Sequence, residues 1–316
     1  MESNIIINQL LAFIVLAVIG AIASWRKIIN DEGKDFLSKL IIDVTLPLLI
    51  VSTFLKLESN PRLLVNGLWL FVLTFVNIGV LYMAGTLSAR AQKLSPSDST
   101  VHVLHTMFGN IVFLGFPLFD ALFPNGVGVF YASVYQLASN FITYTYGTYK
   151  LSAGVQKSKL GNFFNINTIA LLLGILLMVL KVKLPAFILE PISSLGKCTS
   201  PLSMVYIGAL LAGMNLKSTF KTTSIYVLTI NKLIIVPLLL GFIYSFLRRS
   251  FNLNLSIEAF VVLVMQAAMP CQTIVVVMSR RYGGSHVLAT GNLFISTIFS
   301  IISLPLVYHF LVSIYS

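Results

Sequence analysis

Long apolar stretches separated by short polar ones fill the sequence, and ten of them are close to the length of a membrane-spanning helix. Because a helix rises about 1.5 Å per residue, about 20 apolar residues cross the hydrocarbon core of a bilayer. The pattern therefore predicts an all-α polytopic membrane protein. The ten predicted spans cover 5–24, 36–56, 64–89, 99–122, 127–149, 163–181, 186–214, 223–247, 257–280 and 286–313.

The fourth predicted span contains residues that a continuous membrane helix avoids, in the run G-N-I-V-F-L-G-F-P at 109–117. Pro117 has no amide hydrogen, Phe116 before it is pushed away from helical dihedrals, and Gly115 allows almost any backbone turn. We therefore predict that Gly115 and Pro117 break this helix near its middle. In hydrocarbon, freed backbone groups survive only where protein or water satisfies them, so a broken span usually lines a cavity.

The ninth predicted span has the same feature, because V-M-Q-A-A-M-P-C-Q at 264–272 places Pro270 inside an apolar segment. Pro270 follows Pro117 by 153 residues. Two further pairs are 154 residues apart, namely Pro47 with Pro201 and Asn8 with Asn162. The alternative is a pair of ordinary proline kinks, but three pairs at offsets of 153 or 154 residues favour a duplicated half of the chain.

The two halves are predicted at 1–154 and 155–316, with five spans each. Since five is odd, the second half enters the membrane upside down, which is an inverted repeat. Spans four and nine then run antiparallel, and their breaks can cross near the midplane. Interrupted spans at matching positions of two halves are typical of a transporter binding site.

Composition and charge agree with a membrane location. The 316 residues are 57% hydrophobic and 10% charged, with a mean hydropathy of +0.92 and a net charge of +11. The basic residues are dispersed over short loops, which excludes a nucleic-acid surface. Counted with the last residue of the preceding span, loops after odd-numbered spans hold twelve Lys and Arg and those after even-numbered spans hold six. The positive-inside rule therefore predicts a multi-pass plasma-membrane protein with both termini outside.

Cys198 and Cys271 show neither disulfide nor metal-ligand spacing, so no metal site and no cofactor are predicted. The sequence also lacks the paired aspartate motifs of prenyl transferases and the H-E-x-x-H motif of metalloproteases. We therefore expect the chain not to be an enzyme.

The two broken motifs, the tail R-Y-G-G-S-H-V-L-A-T-G-N at 281–292 and the run N-K-L-I-I-V-P-L at 231–238 resemble the auxin efflux carrier family. That family includes plant auxin carriers and bacterial carboxylate permeases, and the resemblance covers nearly the whole chain. It implies a fold similar to that of the sodium/bile-acid symporters, with spans four and nine crossing. It also implies a scaffold of spans 1, 2, 6 and 7, a transport domain of spans 3–5 and 8–10, and a homodimer.

The resemblance places the substrate beside the crossing and matches a family asparagine to Asn110. Many bacterial members have glycine two residues later, where this chain has Val112, so selectivity here is expected to differ. Broken helices also present amino-terminal ends with about half a positive charge, which favours an anion. The candidate substrate-binding residues are Asn110, Gly115, Phe116, Pro117, Asn140, Gln266, Met269, Pro270, Cys271 and Gln272.

Three ionisable residues are candidates for coupling or support. Asp43 lies inside span two, where a charge is costly, and we expect it to pair with Lys39 or Lys197. His105 and the neighbouring His102 suit a proton relay or a polar interfacial position. Lys232 is expected to pair with a carboxylate or with carbonyls of a broken helix.

The predicted function is secondary transport or uniport of a small organic anion, such as malate, malonate or an auxin-like acid, by an elevator mechanism. Protons are the partner considered for coupling. One alternative is a sodium-coupled symporter of the same fold, although Glu258 lies twelve residues before Pro270, which is too far to serve the second break. The other is a non-transporting membrane receptor.

Overall fold

The computed structural model describes residues 2–58, 60–123, 125–152, 164–213, 222–251, 254–282 and 284–315. These residues are almost entirely helical and hold no strand beyond one isolated backbone pairing, so the all-α prediction is confirmed. The helices are α1 (Glu2–Trp25), α2 (Asp31–Leu40), α3 (Leu46–Lys56), α4 (Pro61–Ala91), α5 (Pro96–Met107), α6 (Phe116–Leu122), α7 (Val127–Ile142), α8 (Thr148–Leu151), α9 (Ile166–Val179), α10 (Ala186–Lys197), α11 (Thr199–Ala212), α12 (Thr223–Ile230), α13 (Val236–Phe251), α14 (Ile257–Ala267), α15 (Thr273–Arg281) and α16 (His286–Tyr315).

Several of these helices are long and apolar enough to cross a membrane. In the described residues five helical stretches meet that requirement, each of them 26 to 31 residues long. Four shorter apolar helices accompany them, at Leu11–Trp25, Ile111–Leu122, Ile166–Val179 and Ile257–Ala267. The chain is therefore a multi-pass membrane protein, and the count of ten crossings stays a prediction.

Single π-helical turns precede prolines inside three helical stretches. These turns, at Ile41–Thr45, Ile111–Gly115 and Asn231–Ile235, each lead into a helix whose second residue is a proline. The Val236 amide accordingly bonds to the Asn231 carbonyl five residues back. Because the wider turn moves the carbonyl that a proline ring would meet, the helix continues past the proline.

The chain divides into two compact units, and each is described by itself. The first unit comprises Met1–Gly67, Val112–Val134 and Phe164–Met214. The second comprises Leu68–Ile111, Tyr135–Phe163 and Asn215–Ser316. The predicted repeat boundary at 154 and Asn162 fall outside the described residues, and the halves, the scaffold and the transport domain stay predictions.

Close helix packing holds the first unit together. A Cβ atom on Gly20 of α1 would lie 2.0 Å from the Val205 carbonyl oxygen of α11, so only glycine allows this approach. The Thr199 hydroxyl donates to the Thr45 hydroxyl at 3.0 Å, and both residues are buried. These two threonines are 154 residues apart, which is the predicted repeat offset.

The second unit has a core in which α5, α12, α15 and α16 take part, and it satisfies several buried polar groups internally. Asn77 of α4 donates to the Leu263 carbonyl at 2.8 Å and accepts from the Tyr244 hydroxyl at 2.5 Å. These bonds tie α4, α13 and α14 together. The candidate site lies in this unit.

Candidate functional site

The first break lies between α5 and the π turn at Ile111–Gly115. Helix α5 ends at Met107, and Phe108 is extended, with φ −109° and ψ 127°. The predicted break at Gly115 and Pro117 is therefore wrong, since Gly115 has ordinary helical dihedrals of −63° and −54°. The π turn accommodates Pro117, and the helix is interrupted at 108–110 instead.

The second break lies where the sequence predicted it. Helix α14 ends at Ala267, α15 begins at Thr273, and Pro270 lies between them. The five residues 268–272 therefore have no regular helical structure, and their backbone groups need other partners.

The two breaks supply partners for each other. Gly109 and Cys271 form an antiparallel backbone pairing, and the Asn110 amide donates to the Pro270 carbonyl at 2.7 Å. The Cys271 amide donates to the Ser296 hydroxyl of α16 at 3.0 Å. The predicted crossing of the two broken segments is therefore a physical contact within the second unit.

Gly109 is required for this contact. A Cβ atom at Gly109 would lie 2.7 Å from the Met269 Cβ atom and 3.1 Å from the Gln266 carbonyl oxygen. Both distances are shorter than ordinary van der Waals contact. The backbones can approach this closely only because position 109 has no side chain.

The helix ends at the crossing carry opposite partial charges. The carboxyl end of α5 is negative, and the buried Lys232 ammonium donates to the Thr106 carbonyl there at 2.8 Å. The amino end of α15 is positive, and its N-cap residue Gln272 makes no capping side-chain hydrogen bond. One helix end is thus neutralised by the protein, while the other is available to an anion.

Buried amide side chains without partners occur in the same unit as these helix ends, among the residues that the structure describes. In the part of the chain that the structure describes, both amide atoms of Gln266 in α14 and both of Asn292 in α16 lack a hydrogen-bond partner. Gln266 is 1% exposed and Asn292 is fully buried. A buried polar group without a partner costs about 1–3 kcal/mol, so such groups call for a ligand or water.

One hydroxyl group and one ring nitrogen in the broken segments also lack hydrogen-bond partners among the described residues. Within the described ranges, the hydroxyl of Thr273, the first residue of α15, has no hydrogen-bond partner, and neither has the Nδ1 atom of His105. The Nε2 atom of His105 lies 3.2 Å from the Gln272 carbonyl oxygen. His102, by contrast, is fully buried between Ser88 and Ser224, at 2.9 and 3.0 Å, and is not an interfacial residue.

The structure separates the remaining predicted residues. Met269, Cys271 and Asn140 are buried in the second unit. Gly115, Phe116 and Pro117 belong to the first unit. Their role in substrate binding, like that of all the predicted site residues, stays a prediction.

Asp43 does not have the predicted partner. It lies in the π turn at Ile41–Thr45, it is exposed, and neither Lys39 nor Lys197 forms an ion pair with it. Lys197 interacts electrostatically with Asp120 instead. The expected pairing is wrong because the wide turn changes which residues of the stretch share a face.

Sequence reasoning missed several residues of the site. Gly109, Thr106 and Ser296 act through backbone contacts between distant segments, and a single sequence gives no signal for such contacts. Asn292 is not among the missed residues, because the sequence shows it 152 residues after Asn140 and inside an apolar helix.

Comparisons with known proteins agree on the class of molecule. The family model described as membrane transport protein matches residues 5–162 and 152–308, which together cover nearly the whole chain. An uncharacterized transporter of Methanocaldococcus jannaschii is 27% identical over 309 residues, covering 95% of this chain and 96% of that protein.

Proposed function

We propose that this chain, which belongs to the membrane transport protein family of auxin efflux carriers, carries a small organic anion across the membrane. Malate, malonate and auxin-like acids are the substrates that fit its chemistry. The observation that carries this proposal is the buried Gln266 amide, which has no hydrogen-bond partner among the described residues and precedes the second break, where the N-cap of α15 makes no side-chain hydrogen bond.

An anion meets the needs of this site better than a neutral solute or a cation. The amino end of α15 attracts negative charge, and an amide nitrogen of Gln266 can donate a hydrogen bond to a carboxylate. Lys232 adds a positive charge within the same unit. Together these groups replace the water that a carboxylate loses on entering the membrane.

Alternating access by an elevator motion is the proposed mechanism. Such a motion needs two bodies that each move as a whole, and the division into two compact units supports it. A homodimer in the plasma membrane, with both termini outside, completes the proposal. Its partners are the anion, the lipid bilayer and protons.

Sodium coupling is less favoured by the distribution of carboxylates. In the unit that contains the crossing, the sequence places only Asp98 and Glu258, and both lie in the first turn of a helix. A sodium ion is held mainly by oxygen ligands, and a carboxylate supplies the compensating charge. We therefore expect transport without sodium.

Reconstitution tests the function. Purified protein in liposomes is supplied with labelled malate, malonate or indole-3-acetate, with and without pH and sodium gradients, and uptake is compared with empty liposomes. We expect saturable uptake of at least one anion in choline buffer. Uptake of none of the panel would contradict the proposal, and uptake that needs sodium would favour the symporter.

The predicted orientation is tested by cysteine labelling. In a background with serine at Cys198 and Cys271, Asn60→Cys should react with an impermeant maleimide in intact cells, because its loop is predicted to lie outside. Ser97→Cys should react only after permeabilisation, because its loop carries Arg90 and Lys93. The opposite labelling pattern would reverse the topology.

If Gln266 binds the anion, replacing it should lower anion affinity without lowering the stability of the protein. Gln266→Leu removes a buried unpaired amide and should leave the melting temperature at or above that of the wild type. Anion affinity should fall by about 10- to 150-fold, which is the effect of losing a hydrogen bond of about 1.5–3 kcal/mol to a charged group. Thermal unfolding and binding of the transported anion measure the two effects.

Asn77→Leu is the matched control, since Asn77 is a buried amide whose atoms are bonded to Leu263 and Tyr244. It should lower the melting temperature. If Gln266→Leu behaves like Asn77→Leu and keeps full anion affinity, Gln266 is a structural residue.

A further inference from the structure

Lys232 is a buried charge without a carboxylate partner. Its side chain is fully buried, and its ammonium group donates to the Thr106 carbonyl at 2.8 Å. The sequence of the same unit contains two acidic residues, Asp98 and Glu258, and among the described residues neither forms an ion pair with Lys232. Asp98 lies eight residues before Thr106 on α5, or about 12 Å along the helix, which is too far for an ion pair.

The charge of Lys232 is therefore balanced by something other than a carboxylate. The Thr106 carbonyl belongs to the last turn of α5, where the helix dipole places about half a negative charge. Cys271 and His105 also interact electrostatically with Lys232, and neither is a permanent anion. The helix dipole offsets only part of the lysine charge, and the anion of the proposed function would supply the rest.

A π turn positions the ammonium group of Lys232 at the end of α5. Lys232 is the second residue of the π turn at Asn231–Ile235, which leads into Pro237. Single π turns inside helices are frequent at functional sites, because they turn a side chain toward a partner that a regular helix would miss. This turn packs against α16, and α12 before it packs against α5.

We propose that the ammonium group of Lys232 acts as a built-in cation at the crossing. It occupies the position at the carboxyl end of α5 that an inorganic coupling cation would otherwise need. The wild-type carrier then binds its anion without any added cation. A variant without the lysine side chain exposes the Thr106 carbonyl to a cavity that accepts a small monovalent cation. This inference deepens the proposed function and rests on it for its consequence in transport.

Chemical rescue tests the inference without any substrate. Lys232→Ala is purified, and its melting temperature is measured in ammonium, methylammonium, sodium and choline chlorides at equal ionic strength. We expect a lower melting temperature than the wild type in choline, and a saturable increase with at least one of the small cations, as mass action requires. Choline is too large to enter and serves as the reference ion.

Two variants separate charge from packing. Lys232→Met fills the space with an apolar chain, so it should show no increase with small cations. Lys150→Ala removes an exposed lysine of α8 in the same unit and should behave like the wild type in all four salts. A Lys232→Ala response no larger than that of the wild type would overturn the inference.

A second variant covers the case in which Lys232→Ala fails to fold. If Lys232→Ala does not fold in any buffer, Lys232→Gln decides, because it keeps a donor for the Thr106 carbonyl without the charge. A wild-type melting temperature in Lys232→Gln overturns the inference, and a lower one supports it. If the wild type transports none of the anions tested, the proposed function fails. The melting temperatures of the Lys232 variants still test the cation site in that case.

Discussion

Replacing Gly109 with alanine should strongly impair transport while leaving the protein inserted in the membrane. The added methyl group would lie 2.7 Å from the Met269 Cβ atom and 3.1 Å from the Gln266 carbonyl oxygen. Overpacking at such a contact costs about 1–3 kcal/mol, which corresponds to a 5- to 150-fold loss of anion affinity if the crossing opens. Uptake by reconstituted protein, at equal insertion, measures the effect.

Gly79→Ala is the matched control for Gly109→Ala. Gly79 lies in α4 of the same unit, and a Cβ atom there would meet nothing within 4 Å. Alanine should therefore be tolerated at this position and should favour the helix by up to about 1 kcal/mol. If Gly109→Ala and Gly79→Ala transport equally well, the close approach at the crossing has no part in function.

Replacing Asn110 should weaken anion binding by about 10- to 150-fold. Asn110 is 3% exposed and lies in the break itself, where its backbone amide holds the Pro270 carbonyl at 2.7 Å. Its side-chain amide is proposed to donate to the carried carboxylate, and a hydrogen bond to a charged group is worth about 1.5–3 kcal/mol. Asn110→Ala removes this donor but keeps the backbone contact.

Asn110→Asp distinguishes substrate contact from a structural role. The carboxylate has nearly the same size as the amide but repels an anion. The anion affinity of Asn110→Asp should therefore be weaker than that of Asn110→Ala. Equilibrium binding to both variants at equal folded concentration is the measurement. Unchanged affinity in both would assign Asn110 a purely structural role.

The helices of this fold were readable from the sequence because apolar length and helical structure are tightly linked in membranes. Pro270 also located the second break, since its position has no preceding π turn that could absorb it. The break predicted at Pro117 is wrong for the opposite reason, because the π turn at Ile111–Gly115 lets the helix continue past this proline. A wide turn depends on packing and has no signature of its own in one sequence.

The site was only partly readable. Asn110, Gln266 and Pro270 are polar or helix-breaking residues in apolar segments, and such residues stand out. The pairing of Gly109 with Cys271 joins segments 162 residues apart in sequence, and neither residue type predicts it. The Thr106 carbonyl that receives Lys232 is a backbone group, so its position follows only from the folded structure.

We propose that the crossing binds an organic anion without an inorganic cation. The decisive measurement is equilibrium binding of the transported carboxylate to purified wild type and Gly109→Ala, in choline buffer with and without added sodium. We expect saturable binding to the wild type that sodium does not change, and binding to Gly109→Ala weakened by at least about fivefold. Wild-type binding that requires sodium, or equal binding by the two proteins, would contradict it.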